Sequence, residues 1–357
     1  MVKRRGFLIR SGDTDLMRIL ITGGTGFLGR HAAIRLQSAG NDVTILGRNR
    51  AIGDSLQKRG IRFVQGDLEN ASAVDLACRG QNAVIHSGGL ASPWGEYQKF
   101  YAANVLGTEN VIQSCRTNQI SRLVYLSTPS LYFNYRHREL IRESDPLPKP
   151  ETAYAATKKI ADERMAEAFT AGLPCISIRP RAIFGPGDQS VLVRLIRAGQ
   201  KGTIPLVGAG RSFVDLTYID NVVDALQLCL SSAQATLGRV YNITNGEPMT
   251  TRQLMEKVFG ALGIHARFRK MPFFVAYSTA ALTEGYYQFF KPGVEPPLTR
   301  YAIGLMAKTQ TLDISKARAE LGYHPKVSFD EGLDRFAHWW KAKESGVLTK
   351  DDLGLPI

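Results

Sequence analysis

Tyr154 and Lys158 lie four positions apart, and Ser127 and Thr128 end an apolar run upstream of them. On a helix, residues at that spacing share a face. A free phenol ionises at about pH 10, too high to exchange protons readily at neutral pH. An ammonium beside it favours the phenolate and draws that value down. The expectation is that Lys158 tunes Tyr154 as a general acid and base. A neighbouring hydroxyl, Thr128 or Ser127, then donates a hydrogen bond to the reacting oxygen. Such a set moves a proton to or from an oxygen whose carbon gains or loses a hydride. The pair alone also fits an ordinary amphipathic helix surface, so its meaning depends on what precedes it.

What precedes it is a glycine-rich turn, Thr22-Gly23-Gly24-Thr25-Gly26-Phe27-Leu28-Gly29. Residues 18–22 read as a short buried strand, and Phe27–Gln37 as a helix. Glycines at 23, 26 and 29 let backbone amides close on a pyrophosphate seated at a helix N-terminus. The expected cofactor is a nicotinamide dinucleotide, held by Gly23, Gly26, Phe27, Leu28 and Gly29. The second strand ends at Gly47, followed by Arg48-Asn49-Arg50. An acid commonly stands there to bind the ribose 2′-hydroxyl of NAD; an arginine instead suits a 2′-phosphate. NADP(H) is therefore favoured, with NAD(H) as the alternative and plain surface charge as the reading without a ligand. Asp67 would accept from the adenine amino group with Leu68 against the ring, or else cap the helix starting near Ala71.

These residues need a frame. Strand patterns fall at Arg18–Thr22, Asp42–Leu46, Ile61–Val64, Ala83–His86, Leu123–Ser127, Cys175–Arg179 and Val240–Ile243. Helix patterns fall at Tyr97–Arg116, Ala153–Ala168, Val191–Gly199 and Asn221–Ser231. Such alternation predicts an α/β chain with a Rossmann-type, doubly wound parallel sheet. The expected organisation is a basic N-terminal extension over 1–16, a dinucleotide-binding domain over 17–186 and a smaller substrate-binding lobe over 187–357, interleaved with the main domain. The apolar piece Phe7-Leu8-Ile9 is too short for a secretory h-region.

Composition narrows the functions. The 357 residues carry 45 Lys and Arg against 32 Asp and Glu, a net charge of +13. No zinc spacing or aromatic-basic interleaving accompanies that charge, so no nucleic-acid partner is expected. Cys78, Cys115, Cys175 and Cys229 show neither metal-ligand nor redox spacing, so no metal is expected and the thiols read as free and cytoplasmic. Residues 272–290 form the longest apolar-rich stretch, broken by Glu284 and Gly285. It is too polar for a membrane span and predicts peripheral lipid contact. The aromatics over 271–300 predict a lid over a lipophilic small molecule. A homodimer is expected.

With these motifs the chain resembles the extended short-chain dehydrogenase/reductase family. The likeness runs through Thr22–Gly29, Asp67, Asn104-Val105-Leu106-Gly107-Thr108, Ser127-Thr128, Tyr154/Lys158, Arg179-Pro180 to Asp188, and Tyr218-Ile219-Asp220-Asn221. The resemblance implies Thr128, Tyr154 and Lys158 as the catalytic set and places Pro180 and Ile183 against the nicotinamide. The stretches His86–Gly95 and Arg179–Asp188 look most like the 3β-hydroxysteroid dehydrogenase branch. Ser127–Ser130, Asn245–Pro248 and Glu295–Arg300 are similar to bacterial 2-alkyl-3-oxoalkanoate reductases. Both imply an oxidoreductase interconverting a secondary alcohol and a ketone. Pro129-Ser130 stands where a sugar-nucleotide dehydratase of this fold would carry Asp-Glu. A sugar-nucleotide epimerase, with Arg211, Arg252 or Arg300 as a diphosphate clamp, and a nonenzymatic NADP(H) sensor are the competing readings.

Overall fold

The computed structural model describes residues 16–347 apart from 292, and the backbone only of Val191. The N-terminal extension, but for Leu16, lies outside the described residues. Seven parallel strands form the central sheet: β1 (Arg18–Thr22), β2 (Asp42–Gly47), β3 (Arg62–Gln65), β4 (Ala83–His86), β5 (Arg122–Leu126), β6 (Cys175–Pro180) and β7 (Val240–Ile243). They stand in the order β7-β6-β5-β4-β1-β2-β3.

Period-two side-chain alternation divides each strand between two apolar layers. Ile19, Ile21, Ile85 and Val124 face one layer, with Leu28, Ala32 and Val222 from the helices Phe27–Ser38 and Ile219–Ser231. Leu20, Val84, Leu123 and Tyr125 face the other, with Val74, Val111 and Ala161 from the helices Ala71–Cys78, Gly107–Thr117 and Ala153–Thr170. Fully burying such a side chain is worth about 1.5–3 kcal/mol, which holds the layers to the sheet.

The chain leaves β1 toward β2 and β3, then returns to place β4 on the other side of β1. The strand order therefore reverses at β1/β4, where loops diverge and a crevice opens at the carboxyl ends. A second, four-stranded sheet orders Met249–Thr250, Phe213–Val214, Gln310–Leu312 and Arg138–Ile141. Two crossings tie the halves together: residues 240–243 complete the main sheet, while residues 138–141 join the smaller one.

Several boundaries differ from the sequence reading. The third strand starts one residue late, because Ile61 is buried ahead of it in the core. β5 ends at Leu126, which leaves Ser127 and Thr128 in the following loop. The helix expected over Tyr97–Arg116 is interrupted by a π turn at Ala102–Leu106. Hydrophobic spacing does not reveal such a turn, because the extra residue is absorbed without breaking the helix.

Candidate functional site

The glycine turn lies in the β1/β4 crevice. Gly23 has φ +68°, the left-handed region open to glycine. Its carbonyl accepts from the Gly26 amide at 2.8 Å. A Cβ on Gly29 would overlap the Gly23 carbonyl, and one on Gly23 would come within 2.6 Å of the Gly88 Cα. Gly26 starts the helix Phe27–Ser38 without a side-chain cap, so the first-turn amides remain open to an anion.

A cleft of about 250 Å³ opens beside this turn, lined by Gly23, Gly26, Gly47, Arg48, Asp67 and Leu68 among others. A shallow, glycine-walled groove ending in an arginine fits a dinucleotide. Arg48 reaches Asp67 at 3.4 Å, and both are solvent-accessible. Asp67 is not the helix cap; Asn70 is, accepting from the Ala73 amide at 3.1 Å. Phe27 and Leu28 form the helix's first turn, with Leu28 directed into the core. Pro180 ends β6, buried, and Ile183 begins a two-residue strand paired with Thr217–Tyr218. Both lie outside the cleft, at the carboxyl end of the sheet.

The second cluster sits on the helix Ala153–Thr170. Thr152 caps it, accepting from the Ala155 amide at 3.1 Å, an interaction worth about 1 kcal/mol. Two residues past that cap, in the first turn, the Tyr154 phenol interacts with the Thr128 hydroxyl. Ser127, the other sequence candidate, has a buried hydroxyl with no partner among the described residues. Lys158 is buried; its Nζ donates to the Leu126 carbonyl at 2.7 Å and lies 4.2 Å from the Tyr125 ring centroid.

The electrostatics correct one expectation. The phenol of Tyr154 is pushed up to about 12, chiefly by burial, with the Thr128 hydrogen bond acting in the opposite direction. Burial also draws Lys158 down to about 8, against the nearby Asp162 carboxylate. The fold therefore holds Tyr154 as an acid, and the ammonium does not overcome the desolvation of the phenolate.

Three neighbours were not among the site residues expected from the sequence. Asn104, in the π turn, accepts from the Leu90 amide at 2.7 Å and donates to Thr157 Oγ1 at 3.1 Å. It pins the loop after β4 to the Tyr154 helix. Ser130 accepts from Thr128 Oγ1 at 3.1 Å and from the Tyr301 hydroxyl at 3.0 Å. A row of oxygens thus runs from Tyr154 through Thr128 and Ser130 to Tyr301. No local motif marks Tyr301, because only the fold brings the helix Arg300–Ala307 here.

Beside this row is a cavity of about 290 Å³, with Trp94, Phe100, Tyr135, Tyr277, Glu284 and Arg300 in its walls. Glu284 is buried and accepts from the Arg300 amide at 2.6 Å and from its Nε at 2.5 Å. The lid expected over 271–300 is only half a lid. Tyr277 faces the cavity, whereas Phe274, Phe289 and Phe290 are exposed. The four cysteines are free and buried. Among the described residues no helix is long and apolar enough to cross a membrane.

Residues 19–244 match the model of the NAD dependent epimerase/dehydratase family. The chain is 39% identical over 325 residues to a 2-alkyl-3-oxoalkanoate reductase of Stenotrophomonas maltophilia, covering 89% of this chain and 98% of that one. It is 32% identical over 349 residues to the 3beta-hydroxysteroid-dehydrogenase/decarboxylase isoform 1 of Arabidopsis thaliana, covering 89% and 79%. Among solved structures it is similar to DesIV, a dTDP-glucose 4,6-dehydratase from Streptomyces venezuelae with NAD and TYD bound. That match has a TM-score of 0.73 and 26% identity, over 92% of this chain and 98% of that one.

Proposed function

This chain belongs to the NAD dependent epimerase/dehydratase family, and from that premise we propose that it interconverts a ketone and a secondary alcohol on a lipophilic molecule, with NADP(H) as its preferred dinucleotide. The observation that carries this reading is that Tyr154, whose phenol interacts with the Thr128 hydroxyl, packs on Phe100, part of the wall of the cavity that Trp94, Tyr135 and Tyr277 also line. Pro129 and Ser130 follow Thr128, so the positions beside it offer no carboxylate for water elimination. The relatives named as an alkyl-oxoalkanoate reductase and a hydroxysteroid dehydrogenase support the substrate class.

In this reading Gly23, Gly26 and the first-turn amides of Phe27, Leu28 and Gly29 seat the pyrophosphate. Arg48 pairs with the 2′-phosphate, Asp67 and Leu68 meet the adenine, and Pro180 and Ile183 border the nicotinamide. When bound, the nicotinamide supplies or takes up the hydride. Tyr154 gives its proton to the ketone oxygen, or takes it from the alcohol. Thr128 donates a hydrogen bond to the same oxygen, and Lys158 holds the ribose and offsets charge as the phenolate forms. The phenol's high pKa suits the reductive direction, in which Tyr154 must start protonated.

Steady-state turnover with NADPH is the test, comparing 3-oxo acyl and 3-oxo steroidal compounds with UDP- and dTDP-sugars. The expected result is oxidation of NADPH with the 3-oxo compounds. Conversion of sugar nucleotides alone, read as epimerised product because an epimerase consumes no net dinucleotide, would replace this reading with the epimerase.

A further inference from the structure

The helix Phe273–Phe290 has two unlike faces. Inward, Ala276 and Ala280 pack on Val207 and Ile303, and Glu284 is buried against Arg300. Outward, Phe274, Leu282, Phe289 and Phe290 are 71–85% exposed, with Val275 and Tyr286 about half exposed beside them. Glu284 is the single charge among the 18 residues, so the outer face carries none. Two threonines lower its polarity further. Thr279 Oγ1 donates to the Val275 carbonyl at 2.9 Å and Thr283 Oγ1 to the Thr279 carbonyl at 2.8 Å, so both hydroxyls satisfy themselves on the helix.

Cations stand at both ends of this helix along the chain. Arg267, Arg269 and Lys270 are exposed on the strand that leads into the helix, and Lys291 is exposed just after it. None of the four pairs with a carboxylate among the described residues. An apolar patch of this kind on a soluble surface marks a partner. A charge-free helical face, with exposed cations free of carboxylate partners at both ends of its helix, matches a surface with greasy depth and anionic headgroups. A second copy of the chain fits less well, since a two-fold contact would also bring these cations toward their own counterparts.

We propose that the helix Phe273–Phe290 lies flat in the surface of an anionic lipid bilayer, with Phe274, Leu282, Phe289 and Phe290 among the acyl chains and Arg267, Arg269, Lys270 and Lys291 on the headgroup phosphates. The inner side of the same helix gives Tyr277 and Glu284 to the cavity near Tyr154. Docking therefore leaves the thickness of one helix between that cavity and the acyl layer. This second step rests on the lipophilic-substrate reading above; the docking itself does not.

The experiment is co-sedimentation of the full chain with vesicles of phosphatidylcholine alone and of phosphatidylcholine mixed with phosphatidylglycerol. Binding is expected to the mixed vesicles and to weaken with salt. Leu282→Ser with Phe289→Ser should lower the partition coefficient on the order of tenfold. Arg269→Glu with Lys270→Glu should remove the preference for the anionic vesicles. All four side chains lie on the outer surface, and circular dichroism checks that each variant is folded. No vesicle binding, or binding that neither pair of substitutions changes, overturns the proposal. So does a solution dimer that the apolar substitutions split while vesicle binding is absent, which assigns the face to a second copy. Turnover of a short, water-soluble 3-oxo compound, measured alongside, should be unchanged in both variants. Its absence in the unmodified protein would count against the functional reading and leave the vesicle result standing.

Discussion

The glycine-turn cleft and the aromatic cavity are built by opposite means. The cleft is mostly backbone: a left-handed Gly23, a Gly29 with no room for a Cβ, and the open amides of one helix end. The cavity is mostly side chain. Trp94, Tyr135, Tyr277 and Arg300 reach it from four separate segments, and one ion pair, between buried Glu284 and half-exposed Arg300, holds part of its wall. A backbone cradle binds what every dinucleotide shares, and it resists change because any added atom collides. A side-chain cavity can be re-lined one substitution at a time, and so can serve ketones of different shapes on one frame. In the proposed reading Tyr154 acts between the two regions, and it is where the comparison breaks most sharply.

The largest effect is therefore expected from Tyr154→Phe. The ring keeps its packing 6.4 Å from Phe100, so dinucleotide affinity, read by fluorescence titration, should be unchanged. Turnover should fall by about two to four orders of magnitude. Near-normal turnover would detach the cavity from the chemistry. In the unmodified protein the two directions should differ with pH. Reduction needs the phenol, which a value of about 12 keeps protonated, so its rate should be flat through the neutral range. Oxidation needs the phenolate, whose fraction grows with pH. That rise should slacken as pH passes about 8, where Lys158 gives up its proton and the supporting charge. Oxidation that is flat below that point would remove Tyr154 as the base.

A smaller effect is expected on the cavity side, at Tyr301. Its hydroxyl donates to Ser130, and Ser130 meets Thr128, the partner of Tyr154. Tyr301→Phe leaves the cleft untouched and removes one hydrogen bond, so kcat should fall on the order of tenfold with dinucleotide affinity unchanged. The readout that a purely structural role would not move is the split between kcat and KM: the loss should fall on kcat, with KM for the ketone nearly unchanged. A folded variant in which KM alone rises would reduce Tyr301 to a wall.

The same contrast governs what the sequence made legible. The glycine turn, the strand before it and the helix after it are contiguous, so their spacing states their geometry, and all seven central strands fall where apolar runs predict them. Tyr154 and Lys158 share one helix and were found by spacing. A place at the end of a strand offered Thr128 and Ser127 alike, though that strand stops at Leu126, and the family resemblance chose Thr128. Ser130 and Tyr301 belong to distant segments, and no local pattern says that they meet. Local reasoning also set the Tyr154 pKa in the wrong direction. It counted the ammonium at i+4 and not the burial, which depends on tertiary packing. The aromatics over 271–290 were legible as apolar, but which of them face the cavity depends on the helix's contacts with Val207 and Ile303.

The smallest effect, and the finest test of the cleft, concerns the 2′-phosphate. The sequence suggests Gly47→Asp as the substitution that would reverse a preference for NADP(H). The structure makes that a mixed test, because a Cβ on Gly47 would overlap the Thr25 side chain. A loss of affinity there would report crowding as well as charge. Arg48→Ser is cleaner: the side chain is 71% exposed, and its charged partner is Asp67 at 3.4 Å. A solvated pair of this kind contributes little to stability, so the fold should be unaffected. What changes is the charge available to a 2′-phosphate, and the freed Asp67 carboxylate adds repulsion. Affinity for NADPH should fall by roughly three- to tenfold, in keeping with an exposed charge-assisted contact, while affinity for NADH stays level or rises. The two titrations are run at moderate salt, since screening alone would narrow the gap. If NADPH and NADH weaken together, Arg48 is a surface charge and the cleft has no preference at this position.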